Sequence, residues 1–146
     1  MGSWLMTVQM GLLFLLAALA TPRESHGFMI PAATLAMAGA SLMLGAWALM
    51  HNRPGNFNLS PIPKVWGVLI TTGPYRWIRH PMYTSVLLGT GALALIAHPF
   101  FGWAAWAALA VVLLIKSIFE ERWLREQHIH YAAYKKATYR FVPFVL

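Results

Sequence analysis

The fold is decided by residues 82–118, which read MYTSVLLGTGALALIAHPFFGWAAWAALAVVLLIKSI. The stretch contains no aspartate, glutamate or arginine, and its single lysine, Lys116, lies close to its end. Because roughly 20 helical residues cross a bilayer core of about 30 Å, the stretch is long enough for two crossings. His98-Pro99 divides it, and so short a connection joins antiparallel helices. The sequence therefore predicts a membrane-spanning helical hairpin with arms at residues 82–97 and 100–118.

Two further apolar segments precede this hairpin, at residues 4–20 and 28–50. Both approach the length of a membrane crossing, and neither contains aspartate, glutamate or arginine. Ala18-Leu19-Ala20 resembles a signal-peptide cleavage site, but no lysine or arginine precedes the first apolar run, which argues against that alternative. We therefore predict an all-α integral membrane bundle of about four transmembrane helices, forming a single domain over residues 1–146.

The composition favours the same conclusion. Of 146 residues, 59% are hydrophobic and 10% are charged, whereas about 25% are charged in an average soluble domain. A soluble domain of this size leaves much of its surface exposed to water, so lipid is the expected solvent for the surplus apolar side chains. The chain contains no cysteine, which excludes disulfides, thiolate metal ligands and a cysteine nucleophile, and no metal site is predicted.

The charged residues are concentrated between and after the apolar segments. The formal net charge of +7 arises from 11 basic and 4 acidic residues, and most of the basic ones fall in the loop at 51–81 and in the tail at 119–146. Basic residues beside apolar spans mark the cytoplasmic face and attract lipid headgroups. We therefore expect loop and tail to share the cytoplasmic side, with the lipid bilayer as partner and no nucleic acid.

The loop and the tail both carry signs of structure. The loop is too long for a simple connector and contains many apolar side chains, which predicts a folded cap on the helix ends. The tail mixes aromatic and basic residues from 120 to 137, a pattern typical of a helix that continues out of the bilayer and lies at the membrane interface.

Two short motifs flank the hairpin. The first contains Leu69, Gly73, Tyr75 and then Arg79-His80-Pro81-x-Tyr83. The second contains Glu120-Glu121-x-x-Leu124, followed by Tyr131-x-x-Tyr134, Thr138, Arg140 and Pro143. In this order the motifs resemble the signatures of the isoprenylcysteine carboxyl methyltransferase and phospholipid methyltransferase families. The chain departs from the family pattern at Gln127-His128-Ile129, where a Phe-Gly pair is usual.

The resemblance implies an S-adenosylmethionine-dependent enzyme with its site at the cytoplasmic membrane face. The cofactor-binding positions that it implies are Gly67, Val68, Leu69, Ile70, Gly73, Tyr75, His80, Pro81, Met82, Tyr83 and Glu120. Lys116 matches a basic position associated with substrate. Glu121 and Arg125, spaced as a favourable i, i+4 ion pair, are expected to orient the reacting groups.

The chemistry of these residue types suits a sulfonium cofactor, because carboxylates and aromatic faces attract cations. A methyl acceptor at a membrane surface is lipophilic or amphipathic, and a carboxylate, an amine and a thiol all remain open. The short chain suggests a bacterial inner-membrane member of the family, and its oligomeric state is open.

Two other functions compete with this interpretation. Six histidines in a small membrane bundle also suggest a haem or quinol protein. However, His51 and His98 fall at opposite membrane faces, which leaves His51 with His80 as the pair to consider. The second competitor is a non-catalytic scaffold or assembly factor with the same fold, which the departure at Gln127-His128-Ile129 supports.

Overall fold

The computed structural model describes residues 2–20, 30–52 and 68–144. Within them the regular structure consists of five α-helices and one 3-10 turn, at Gly73–Arg76. No strand is formed there, although Ile78 and Tyr139 make an isolated parallel bridge. This confirms the all-α class. The helices are α1 (Gly2–Leu19), α2 (Ala32–His51), α3 (Pro81–Ile96), α4 (Pro99–Gln127) and α5 (Tyr131–Ala137).

Two of the four predicted spans, α2 and α4, are long and apolar enough to cross a membrane. The apolar part of α1, Trp4–Leu19, and the whole of α3 are shorter apolar helices. With 16 residues and a rise of 1.5 Å per residue, α3 is about 24 Å long, which is less than the bilayer core. A membrane bundle is therefore supported by two helices on length and composition, whereas a count of four spans is not confirmed.

The helices pack in a definite order. Helix α3 lies between α2 and α4, and α1 packs against α4 and α3. The best-buried core lies where α1, α3 and α4 meet, and consists of Leu16, Ala94, Ala105, Leu109 and Leu113. On the other side α2 contacts mainly α3, so its Leu42, Met43 and Met50 are at least 75% exposed. Such a surface is expected where helices face lipid rather than water.

Small residues bring α2 and α3 close together. The hydroxyl of Ser41 donates to the Ser85 carbonyl at 2.7 Å. A Cβ atom added to Gly45 would lie 2.8 Å from Ser85 Oγ, and one added to Gly89 would lie 2.8 Å from Ser41 Oγ. Small side chains allow helix backbones to approach in lipid, and the hydroxyls add hydrogen bonds across the contact.

The predicted tail helix at 120–137 is interrupted in the structure, which corrects the sequence-based expectation. Helix α4 continues to Gln127, and His128 leaves the helical conformation with φ −122° and ψ 110°. After a short turn, α5 occupies only seven residues. Tyr131, one of the aromatic residues of the tail that was expected to lie at the membrane interface, is fully buried within the protein. Of the predicted folded loop at 51–81, residues 53–67 lie outside the described residues.

Helix α4 extends well past its own apolar part. Its 29 residues correspond to about 44 Å, which exceeds a 30 Å bilayer core. Its apolar part ends near Ile118, and the charged residues from 120 to 127 form its projecting end. The side chains of this end are thus held on a continuous helix beyond its apolar part.

The close contact between α2 and α3 can be tested by enlarging Gly45. We expect Gly45→Leu to lower the free energy of unfolding by about 1–3 kcal/mol, because its side chain must displace Ser85. The measurement is thermal denaturation of the detergent-solubilised protein. Gly39→Leu on the same helix is the control, since a Cβ at Gly39 meets nothing within 4 Å. Equal losses in both variants would contradict the proposed packing.

Candidate functional site

The site is assembled where the start of α3, the projecting end of α4 and the segment after α5 meet. Residues 77–80 run beside residues 139–140 and exchange backbone hydrogen bonds with them. Tyr139 N donates to Trp77 O at 2.9 Å, Arg79 N to Tyr139 O at 2.8 Å, and His80 N to Arg140 O at 3.1 Å. The two predicted motifs are therefore joined directly through their backbones.

Glu121 lies at the centre of this junction, with a side chain that is only 3% exposed. Arg79 Nε lies 2.9 Å from Oε1, and Lys135 Nζ lies 2.7 Å from Oε2. Arg140 is bidentate, with Nε 3.1 Å from Oε1 and Nη2 3.2 Å from Oε2. A buried charge is tolerated only when it is paired and hydrogen-bonded, and three cations satisfy that condition here.

These contacts keep Glu121 ionised. Burial by itself raises the pKa of this carboxyl, but contacts with His80, Arg140, Lys135 and Arg79 lower it by more, so its pKa is held well below its usual range. Both carboxylate oxygens are thereby occupied by donors from the protein. Glu121 is consequently placed to hold the site together rather than to bind a ligand.

Arg79 extends the same junction into the tail. Besides its bond to Glu121, its guanidinium donates to the carbonyls of Lys135 and Thr138. Thr84 Oγ1, one helical turn into α3, donates to the Phe141 carbonyl at 2.8 Å. The polypeptide that follows α5 is thus fixed against α3 by side chains as well as by the backbone pairing.

His80 lies between the two adjacent carboxylates. Its Nε2 is 3.4 Å from Glu121 Oε1, and its Nδ1 is 3.6 Å from Glu120 Oε2. The ring is buried, and among the described residues Nε2 has no hydrogen-bond partner. The ring stacks on Tyr83 with centroids 5.3 Å apart and planes inclined by 4°, and Phe141 lies against both rings. The imidazole is therefore fixed in position beside Glu120.

The side chain of Glu120, unlike that of Glu121, is partly exposed. Its Oε2 accepts a hydrogen bond from the Tyr83 hydroxyl at 3.0 Å, and its side chain remains 32% exposed. No lysine or arginine of the described chain forms an ion pair with it. This arrangement leaves a carboxylate with unsatisfied acceptor capacity beside two aromatic rings, which suits a cationic ligand.

Tyr75 lies near this open carboxylate. Burial, followed by the negative charge of Glu120, raises the pKa of the Tyr75 phenol to about 12. The phenol is therefore neutral at physiological pH and keeps its proton for hydrogen bonding. Its backbone carbonyl accepts from the Tyr134 hydroxyl at 2.7 Å, which ties the 3-10 turn to α5.

Lys116 lies one helical turn before Glu120 and is 3% exposed. Its ammonium donates to Gln9 Oε1 of α1 at 2.6 Å and lies 5.6 Å from the centre of the Tyr83 ring. Tyr83 in turn donates to Glu120, so Lys116 and Glu120 are linked through one aromatic side chain. The structure thus adds α1 to the surroundings of the site.

The predicted site residues separate into three groups. Tyr75, His80, Tyr83, Lys116 and Glu120 are brought together, and Pro81 and Met82 begin α3 beside them. Val68, Leu69 and Ile70 precede Gly73 and have no regular secondary structure, and Gly67 lies outside the described residues. Gly73 has φ +59° and its Cα abuts the His51 ring, where a Cβ would lie 2.4 Å from Cγ.

The predicted pair between Glu121 and Arg125 is wrong. Arg125 is exposed and forms no ion pair with Glu121, whose oxygens are directed towards Arg79, Lys135 and Arg140 instead. Ion pairs with residues that lie further away in the sequence replace the i, i+4 pair that the helix spacing predicts. Arg79 and Arg140 belong to the two motifs but received no role from the sequence analysis, which did not single out Lys135, Gln9 or Phe141.

The His51 and His80 pair considered for haem is also engaged elsewhere. His51 Nδ1 contacts the Trp47 carbonyl at 3.0 Å, and its ring packs against Gly73. Both ring nitrogens of His80 face the glutamates. His51 Nδ1 and both ring nitrogens of His80 are thus directed towards protein groups.

The role of Glu121 can be tested by removing its charge alone. We expect Glu121→Gln to cost about 3–5 kcal/mol of stability, because it leaves buried cations uncompensated. Since the pKa of Glu121 is lowered by folding, this contribution is complete at neutral pH and declines only as the pH falls below about 4.3. Thermal denaturation at pH 7 is the measurement. Glu126→Gln, on the exposed face of the same helix, should change little.

Comparison with known proteins identifies a family. The family model for phospholipid methyltransferase matches residues 57–130, just over half of the chain. The match includes the first motif, the hairpin and the glutamate pair. No curated protein and no solved structure matches the chain significantly. Motifs, helical bundle and family match together show that the chain belongs to the phospholipid methyltransferase family, a family of membrane methyltransferases.

Proposed function

We propose that the protein transfers a methyl group from S-adenosylmethionine to a lipophilic or amphipathic acceptor at the cytoplasmic face of a membrane. The observation that carries the proposal is the open carboxylate of Glu120, held between Tyr83 and His80 at the projecting end of an apolar helix. Membership of the phospholipid methyltransferase family supports the methyl transfer itself.

The residues present fit this cofactor. When bound, S-adenosylmethionine supplies an electrophilic methyl group on a sulfonium cation. The Glu120 carboxylate and the electron-rich face of Tyr83 attract such a cation. Leu69 and Ile70, both half-buried, offer apolar contacts for a purine ring. Tyr75 keeps its phenolic proton and therefore has a donor to offer a polar group of the ligand.

The protein would act mainly by positioning and by exclusion of water. His80 and Phe141 are buried and fix the Tyr83 ring, while the Glu121 junction fixes the start of α3 relative to α4. Holding two reactants in a reactive geometry contributes several kcal/mol without any covalent intermediate. Methylation of an amine or a thiol releases a proton, and the exposed carboxylate of Glu120 is accessible to accept it. Methylation of a carboxylate releases no proton.

The membrane arrangement belongs to the same proposal. We infer four spans, with α1 and α3 crossing as the shorter pair beside α2 and α4, in a bacterial inner membrane. Arg122, Arg125 and Lys136 are exposed at the end that carries the site, which supports a cytoplasmic location under the positive-inside rule. A water-soluble cofactor and a membrane-dissolved acceptor would meet at this end.

Cofactor binding provides the first test. We expect Glu120→Gln and His80→Ala each to weaken binding of S-adenosylhomocysteine and S-adenosylmethionine about tenfold or more, equivalent to about 1.4 kcal/mol. Calorimetric titration of the detergent-solubilised protein is the measurement. Glu126→Gln and His130→Ala, which change the same residue types at exposed positions, are the controls. Unchanged affinity in both site variants would contradict the assigned pocket.

Methyl transfer provides the second test. The purified protein is incubated with methyl-labelled S-adenosylmethionine and a bacterial membrane lipid extract, and the label is followed into separated lipid classes. We expect one amphipathic class to be labelled, with at least tenfold less label for Glu120→Gln, a loss of about 1.4 kcal/mol. Cofactor binding without label in any class would favour the non-catalytic scaffold instead.

A further inference from the structure

The last turn of α2 carries two ring side chains that contact the 3-10 turn at Gly73–Arg76 and the residue after it. The ring of His51 packs against Gly73, and Trp47 meets Trp77 edge to face, with ring centroids 5.9 Å apart. Because His51 and Trp47 are four residues apart, they lie on the same face of the helix. Both ends of the 3-10 turn therefore rest on the end of α2.

The imidazole of His51 is held in a fixed orientation. Its Nδ1 lies 3.0 Å from the Trp47 carbonyl oxygen. A carbonyl oxygen only accepts hydrogen bonds, so Nδ1 is the donor. The two rings also meet edge to face, with centroids 6.2 Å apart. These two contacts with the same tryptophan fix the plane of the imidazole at the end of α2.

The backbone of Gly73 lies directly on this imidazole. A Cβ atom built on Gly73 would lie 2.6 Å from Cδ2 and 2.7 Å from Nδ1 of His51, which is closer than real Cβ atoms approach their neighbours. Gly73 also has φ +59°, in the left-handed region that favours glycine. No side chain separates the turn from the ring, so the ring sets how closely the turn approaches α2.

Tyr75 lies in the middle of the turn that these contacts support. Its amide donates to the Thr72 carbonyl at 3.2 Å, and its carbonyl accepts from the Tyr134 hydroxyl at 2.7 Å. Its backbone is thus held by α5 as well as by the end of α2. The Tyr75 phenol is close enough to Glu120 for the two groups to interact electrostatically. The position of the phenol beside Glu120 therefore depends on the support at both ends of the turn.

We propose that His51 is a positioning residue for cofactor binding, whose ring holds the turn at Gly73–Arg76 so that the Tyr75 phenol faces the site. The inference rests on the proposed function and deepens it by adding the last turn of α2 to the support of the cofactor site. His51 lies outside the matched residues 57–130, so the family match assigns it no role. A displacement of about 1 Å caused by a residue far from the ligand can cost about a hundredfold, so such a support matters without touching the ligand.

The experiment compares cofactor affinity with stability. Binding of S-adenosylhomocysteine is measured by calorimetric titration of the detergent-solubilised protein, and thermal denaturation is recorded on the same preparations. We expect His51→Ala to weaken binding about fivefold or more, and His51→Phe, which keeps a flat ring, to stay within about twofold of the wild type. His51→Gln, which is polar but has no ring, should behave like His51→Ala. Met50→Ala is the control, because this neighbouring side chain is 80% exposed, and it should leave the affinity unchanged.

A double-mutant cycle tests whether His51 acts through Tyr75. Tyr75→Phe removes only the phenolic hydroxyl, and we expect it to weaken binding about fivefold or more. If His51 directs that hydroxyl, adding His51→Ala to Tyr75→Phe should weaken binding by less than about twofold further, because residues that act as one unit are not additive. Two independent effects would multiply instead. The dissociation constants of the wild type, both single variants and the double variant complete the measurement.

The outcomes separate this inference from the proposed function. Wild-type affinity in both His51→Ala and His51→Gln would overturn the inference and leave the function standing. Equal losses in His51→Phe and His51→Ala would overturn the role of the ring, and effects that multiply in the cycle would overturn the action through Tyr75. If His51→Ala does not fold, the comparison of His51→Phe with His51→Gln makes the same test. Absence of S-adenosylhomocysteine binding in the wild type would overturn the proposed function and the role of His51 with it.

Discussion

The structure depends on the charge balance around one buried carboxylate. Glu121 belongs to α4, whereas its three cationic partners come from the segment before α3, from α5 and from the residues after α5. None of these partners is a neighbour in sequence, so each ion pair closes a long loop of chain. Burial of any one of these charges alone would cost several kcal/mol, which makes their assembly mutually dependent. The arrangement of Tyr83, His80 and Glu120 beside Glu121 exists only because these elements are held together.

Glu120 and Glu121 are adjacent in the sequence but differ in burial and in their partners, because they point in different directions from the helix. Successive helical residues point about 100° apart, so Glu121 is directed into the cations while Glu120 is directed towards Tyr83 and the exterior. Protein donors occupy both oxygens of the Glu121 carboxylate, whereas the Glu120 carboxylate retains free acceptor capacity. His80 touches both, and so couples the anchored residue to the open one. A pair that looks redundant in the sequence therefore consists of one buried, fully paired carboxylate and one that is partly exposed.

Much of the fold could be predicted from the sequence, because apolar length and charge position act locally. The hairpin of α3 and α4 follows from two apolar runs and the short His98-Pro99 connection, and the two motifs identified the segments that meet. The partners of Glu121 could not be predicted, since the only local rule available favours Arg125, and long-range compensation overrides it. The interruption at His128 and the contact of Gln9 with Lys116 likewise depend on tertiary packing that no sequence periodicity encodes.

The shortness of α3 has a consequence for the lipid around the protein. Under the proposed four-span arrangement, a helix of about 24 Å is mismatched to a hydrocarbon layer of about 30 Å, and bilayers adapt to such a segment by local thinning. Because α3 begins at the site itself, with Pro81 directly after His80, thinning would draw the headgroup region towards Tyr83 and Glu120. The acyl-chain length of the surrounding lipids would then set how far an acceptor must rise to reach the catalytic end of the bundle.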